Sequence, residues 1–331
     1  MAHTWFRPFP MRILVPCSLL LAGFGLSATL LRSHSSGVLP AGPFVFQTPS
    51  CGSCHGPGTP GGSGLAVTIL PSAYSLDLGQ QLSLTVAASG GAVNPLLQGG
   101  FAALVTRGQL AAGANTRINF QGTEITHSNR SSRSWTFGYT APQTQAGLVQ
   151  VYAVCNTVDG DGQPSLGDRW GFAGADASAT VGTPTRLFVN APGVKALGSA
   201  CVGSFGNVPV LGAAQSPAVG NQTFALEVHG AAPAAPVLLL LGANPNWQPF
   251  DMGLMGSPGC LLLVDPQLTV AGQTGGGNAA RGEGVLVQPL PIPNDPGLVG
   301  AQLQAQVAIV DLGNGRNTPL TMTNAVVLTL Q

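Results

Sequence analysis

From residue 64 onward the chain alternates between apolar and small or polar residues with a period of two. Leu65, Val67 and Ile69 are interleaved with Ala66, Thr68 and Leu70, and Pro71 stops the run. Gln81 to Val86 places Leu82, Leu84 and Val86 on one face. Ser134 to Thr140 does the same with Trp135, Phe137 and Tyr139. Successive side chains of a strand point to opposite faces, so this pattern predicts strands buried on one side. Phe101 to Thr106, Arg117 to Phe120, Glu124 to His127 and Gly147 to Cys155 complete a set of short strands bounded by Gly, Pro, Asn and Ser. Regular spacing with turn residues between the runs predicts an antiparallel β-sandwich.

A second set follows: Thr223 to Val228, Val237 to Leu241, Cys260 to Val264, Gly284 to Leu290, Gln302 to Val310 and Ala325 to Leu330. The expected fold class is therefore all-β, with two antiparallel sandwiches over residues 45–173 and 196–331. The stretch 174–195, rich in Gly, Ala, Thr and Pro, reads as the linker between them.

Composition sharpens this picture. Only 7% of residues are charged, the 12 basic and 12 acidic residues cancel, and Gly numbers 47 against 27 Pro. Few charges and much Gly suit short strands and tight turns rather than helical bundles. Nucleic acid is excluded as a partner, because phosphate binding needs clustered Lys and Arg. Residues 1–36 read as a signal peptide or N-terminal anchor: Arg7 and Arg12 precede an uncharged apolar stretch from Ile13 to Leu31. A cleaved export signal is the favoured form, and this segment is the only expected membrane contact. The expected location is periplasmic, cell-surface or extracellular, where disulfides persist.

The densest chemistry is Cys51-Gly52-Ser53-Cys54-His55. C-x-x-C-H is the attachment pattern of haem c, with Cys51 and Cys54 as covalent anchors and His55 as axial ligand. A local Cys51–Cys54 disulfide, a redox dithiol and half a zinc site are the alternatives. His127 is the candidate distal ligand; otherwise it is a surface histidine at a strand end. Asp159, Asp161 and Asp168 form a candidate calcium site. A twelve-residue calcium loop counted from Asp159 would end on Trp170 rather than Glu, so turn-capping carboxylates are the plainer reading. Cys201 and Cys260 are the expected disulfide. No G-x-S-x-G, H-E-x-x-H, phosphate-loop or dinucleotide motif occurs, so an enzyme is not expected.

Cys51 to His55, Gly64 to Ile69, Leu82 to Val86, His127, Trp135 to Pro142 and Val151 to Asp161 together resemble the choice-of-anchor V domain. This is a bacterial surface domain distantly similar to the Reeler sandwich, and the resemblance spans about residues 45 to 175. It implies an exported β-sandwich in which Cys51, Cys54, His55 and His127 act together. Gly198 to Cys201, Leu238 to Gly242, Gly259 to Leu262 and Leu290 to Pro296 resemble a C-terminal domain of planctomycete exported proteins. Two functions are expected. One is an exported haem c protein acting in electron transfer or redox sensing with a redox partner. The other is a non-catalytic structural or adhesive surface protein with disulfide-bonded cysteines.

Overall fold

The computed structural model describes residues 64–331, apart from 93, 95, 97, 162, 164–166 and 175–181. The expected signal segment and the Cys51–His55 motif lie outside the described residues. The described chain is all-β. Its first strands are β1 (Leu65–Pro71), β2 (Ser75–Asp77), β3 (Gln81–Gly90), β4 (Gly99–Val105), β5 (Gln109–Ala111) and β6 (Thr116–Asn119). β7 (Glu124–His127), β8 (Ser134–Thr140), β9 (Gly147–Thr157), β10 (Arg169–Phe172) and β11 (Thr185–Asn190) follow. They form a four-stranded sheet, β1-β3-β8-β5, and a seven-stranded sheet, β2-β11-β9-β4-β7-β6, with β10 also paired to β9.

The alternation seen in the sequence decides how these sheets meet. Leu65, Val67 and Ile69 of β1, Leu82, Leu84 and Val86 of β3, and Trp135, Phe137 and Tyr139 of β8 supply one wall of a core. Phe101, Ala103 and Val105 of β4 and Val149, Val151, Ala153 and Cys155 of β9 supply the other. The intervening residues on β1 and β3 are exposed or half-buried, as a one-faced strand requires. The outer face of β4, β9 and β10 carries a smaller cluster of Ala102, Val154, Trp170 and Phe172.

The remaining strands are β12 (Val194–Leu197), β13 (Val210–Gly212), β14 (Ala225–Ala231), β15 (Pro236–Gly242), β16 (Phe250–Asp251) and β17 (Leu261–Leu262). They continue with β18 (Leu268–Gln273), β19 (Gly284–Pro289), β20 (Gln302–Val310), β21 (Leu320–Met322) and β22 (Ala325–Thr329). A six-stranded sheet, β12-β22-β20-β15-β18 with β21 on β20, stacks on the three-stranded sheet β13-β14-β19. Phe224, Leu226, Val228, Leu239, Val307 and Leu328 lie in the core between them.

The stretch 174–195 contains more than a connection. Its residues 185–190 are β11, which pairs antiparallel with β9 and parallel with β2. Leu187, Phe188 and Val189 are fully buried, and their burial outweighs the linker-like composition around them. β11 also joins the two sets of sheets. Asn190 donates through Nδ2 to Ser75 Oγ at 2.8 Å and accepts the Ala213 N–H at 3.3 Å. Phe188 stacks on His229, with ring centroids 5.9 Å apart. It also lies over Gly212, where a Cβ would fall 2.1 Å from its Cδ1.

Candidate functional site

β1 begins ten residues after His55 in sequence, and the end of the first sandwich where it starts is closely built. Leu65 is opposite Gly90 in β3, and Gly91 lies beside both Leu65 and Thr157, the last residue of β9. Gly99, the first residue of β4, is opposite Thr157. Arg133 ties this end together. Its Nε donates to the Gln98 carbonyl at 3.1 Å, Nη1 to Gly90 at 3.0 Å and Nη2 to Ala92 at 2.7 Å. Partial burial lowers its pKa.

Just inside this end, β7, β4 and β9 present His127, Phe101 and Cys155 in a row. Phe101 is opposite Cys155 in the β4–β9 register, and continuing the β4–β7 register by one step brings Phe101 opposite His127. Directly opposed residues share a face, and here that face is the core. The Phe101 ring stacks on Trp135 of the other sheet at 4.7 Å between centroids, and His127 lies 6.3 Å from the same indole. Trp135 Nε1 is buried with no hydrogen-bond partner among the described residues. Cys155 is fully buried and lies outside the disulfide described below.

His127 is therefore an interior residue rather than a surface one. The Phe101 N–H reaches its Nδ1 at 3.0 Å, and the Phe101 carbonyl lies 3.1 Å from the same nitrogen. Nδ1 thus meets a donor and an acceptor of the same residue: when it accepts the N–H the ring proton sits on Nε2, and when it donates to the carbonyl Nε2 keeps its lone pair, so the surroundings of Nε2 decide its use. The ring edge carrying Nε2 faces β4: a Cβ on Gly100 would fall 2.4 Å from Cε1 and 2.8 Å from Nε2. A porphyrin plane needs that edge clear. Backbone on one side and stacked Phe101 and Trp135 on the other do not fit His127 as a distal haem ligand.

The three aspartates cap turns. Asp168, itself buried, accepts the Asp159 N–H through Oδ1 at 3.1 Å. Asp159 accepts the Asp161 N–H at 3.2 Å, and Asp161 accepts the Gln163 N–H at 2.8 Å. Self-bonding of this kind is the ordinary use of Asp in Gly-rich turns. Among the described residues no group of three or more His, Cys, Asp or Glu side chains is placed to hold a metal ion.

Cys201 and Cys260 are bonded to each other, with Cα atoms 4.9 Å apart and a sequence separation of 59. The bond packs against Met252, Leu240 and Met322. Met252 and Met255 sit in a short 3-10 turn capped by Asp251, whose side chain accepts the Gly253 N–H. Beside the bond, the Arg316 guanidinium donates to the Val202 carbonyl at 2.6 Å, and the Ser204 N–H donates to buried Asp311 at 2.8 Å. The loops at this end are thus fixed by the disulfide expected from the sequence and by polar contacts, exposed at Arg316 and buried at Asp311, that the sequence did not reveal.

No helix among the described residues is long and apolar enough to cross a membrane. No family model matches the sequence, and no curated protein matches it. Among solved structures, the chain is similar to the Reelin-N domain of F-spondin at 13% identity, over 40% of this chain and 90% of that one, with a TM-score of 0.27. The human F-spondin reeler domain is similar at 15% identity, over 40% and 91%, also with a TM-score of 0.27. The Yersinia pseudotuberculosis adhesin InvE is similar at 14% identity, over 81% and 60%, with a TM-score of 0.23. Likenesses this distant carry no argument about activity, and the β-sandwich assignment rests on strand register and core composition.

Proposed function

We propose that this protein is an exported, non-catalytic component of the cell surface, structural or adhesive in role, with its cysteines used for cross-links. The observation that supports this reading best is the Cys201–Cys260 bond. A bond of this kind persists in oxidising compartments, and an apolar stretch after Arg7 and Arg12 supplies a route to one. Among the described residues, several side chains with catalytic potential are used in other ways. His127 packs under Phe101, His229 bonds Glu227 at 3.0 Å, and the Asp159–Asp168 carboxylates cap turns. In this reading Cys51 and Cys54 bond to each other rather than to a porphyrin.

Protease treatment of intact producing cells tests the location. Degradation of the chain while cytosolic markers survive agrees with the proposal. A protected chain in the cytosolic fraction, with Cys201 and Cys260 reduced, overturns it.

A further inference from the structure

We propose that β18 is a self-pairing edge through which two copies of this chain join their six-stranded sheets. This goes beyond the surface role above and does not depend on it. Among the described residues, β18 ends its sheet, paired to β15 on one side only. An unpaired strand edge is a template for another strand, and proteins guard such edges with charge, proline or shortness. The other edges here carry those guards. β1 contains Pro71 and meets Ala173 on its outer side. β19 contains Pro289 and follows Glu283, β12 carries Lys195, and β10 carries Arg169. β2, β5, β13 and β21 are three residues each, and β6, of four, carries Arg117. β18, Leu-Thr-Val-Ala-Gly-Gln over six residues, has neither charge nor proline, and its register with β15 runs without a shift.

The register also says which backbone groups face outward. The Thr274 N–H donates to the Ala235 carbonyl at 3.0 Å, so the residues two and four positions earlier turn their backbone groups toward β15. Pro236, opposite Gln273, has no N–H to give and agrees with this phase. Thr269, Ala271 and Gln273 therefore direct their N–H and C=O groups away from β15, and all are exposed. This outward set is self-complementary. A two-fold axis at Ala271 brings Ala271 of one copy opposite Ala271 of the other, and Thr269 opposite Gln273, in hydrogen-bonded pairs. Isologous contacts of this form need one surface only.

The occupant is a second copy because the outward set of Thr269, Ala271 and Gln273 pairs with itself in register, and no charge on the strand opposes its own copy. The chain has zero formal net charge with only 7% charged residues, and the strand itself has none. A strand from an unrelated protein would not need this symmetry.

Sedimentation velocity over a concentration series, on the full chain in mild detergent with its disulfide intact, tests the proposal. The wild type is expected to show a reversible monomer–dimer equilibrium. Ala271→Pro removes an outward N–H, and Ala271→Lys sets like charges face to face; each is expected to raise the dissociation constant at least tenfold. Leu312→Lys, at a site 83% exposed and distant from β18 in sequence, is expected to leave it unchanged. Circular dichroism and thermal melting check that each variant is folded, and Ala271→Lys suffices should Ala271→Pro fail to fold. A wild type that stays monomeric throughout, or a dimer that both folded Ala271 variants leave intact, overturns the proposal.

Discussion

The His127 imidazole lies against Gly100, so close that a single added carbon on Gly100 would meet its Cε1 at 2.4 Å. Gly100 and His127 sit on neighbouring strands of one sheet, and the absence of a side chain at the first makes room for the second. The contact packs the His127 ring edge against the β4 backbone.

Gly100→Ala is expected to destabilise the fold by about 1–3 kcal/mol, the usual cost of overpacking a filled interior. The double variant Gly100→Ala/His127→Ala is expected to cost less than the sum of the single changes, because removing the ring removes the closest clash and leaves only that with Asn156 Oδ1 at 2.7 Å. Urea denaturation of the four proteins measures this cycle, and strict additivity would count against the packing role.

Cys201→Ser with Cys260→Ser opens a link that spans 59 residues. The chain-entropy model puts its contribution at about 4 kcal/mol, an upper value because native strain and residual structure reduce it. Thermal melting with and without reductant is expected to show a clear drop for the wild type and none for the double variant.

Much of the fold was legible because β1, β3, β8 and β9 alternate cleanly and each buries one face. β11 was hidden by its neighbours. Leu187, Phe188 and Val189 form a buried run in a stretch whose Gly, Ala, Thr and Pro read as linker. β18 was missed because Leu-Thr-Val-Ala-Gly-Gln, at a sheet edge, shows little contrast between its faces. The Cys201–Cys260 pair was legible from counting cysteines, since they are the only two after residue 196. The setting of His127 was not, because no local pattern says that Gly100 lies beside it. Pairing across strands, and not spacing along the chain, decides whether a histidine at a strand end faces solvent or the core.

Asn190 links the two sets of sheets through Ser75 and Ala213. Asn190→Ala leaves the buried Ala213 N–H without this acceptor and is expected to cost about 1–3 kcal/mol. Chemical denaturation measures it; a change within error would mean that water replaces the bond at no cost.

Alkaline stability follows from Tyr139. Its phenol is buried in the first core and donates to the Arg107 carbonyl at 3.1 Å. Burial raises its pKa to about 12, against a smaller opposing effect of the Arg107 charge. The folded state therefore holds the proton more tightly than the unfolded state. This contribution is complete below about pH 10, the ordinary tyrosine value, and declines as pH rises toward 12. Stability is expected to fall across that window, and Tyr139→Phe is expected to flatten the part of the slope due to this group.

The central claim is an exported, cross-linked surface protein that carries no haem. Peptide mass mapping of the chain isolated from the producing cell, alkylated before any reduction, tests it most directly. The account predicts one linked peptide pair joining Cys201 to Cys260, and a Cys51–His55 peptide that has lost only thiol hydrogens. A Cys51–His55 peptide bearing a covalently attached porphyrin, or alkylated Cys201 and Cys260, would contradict it.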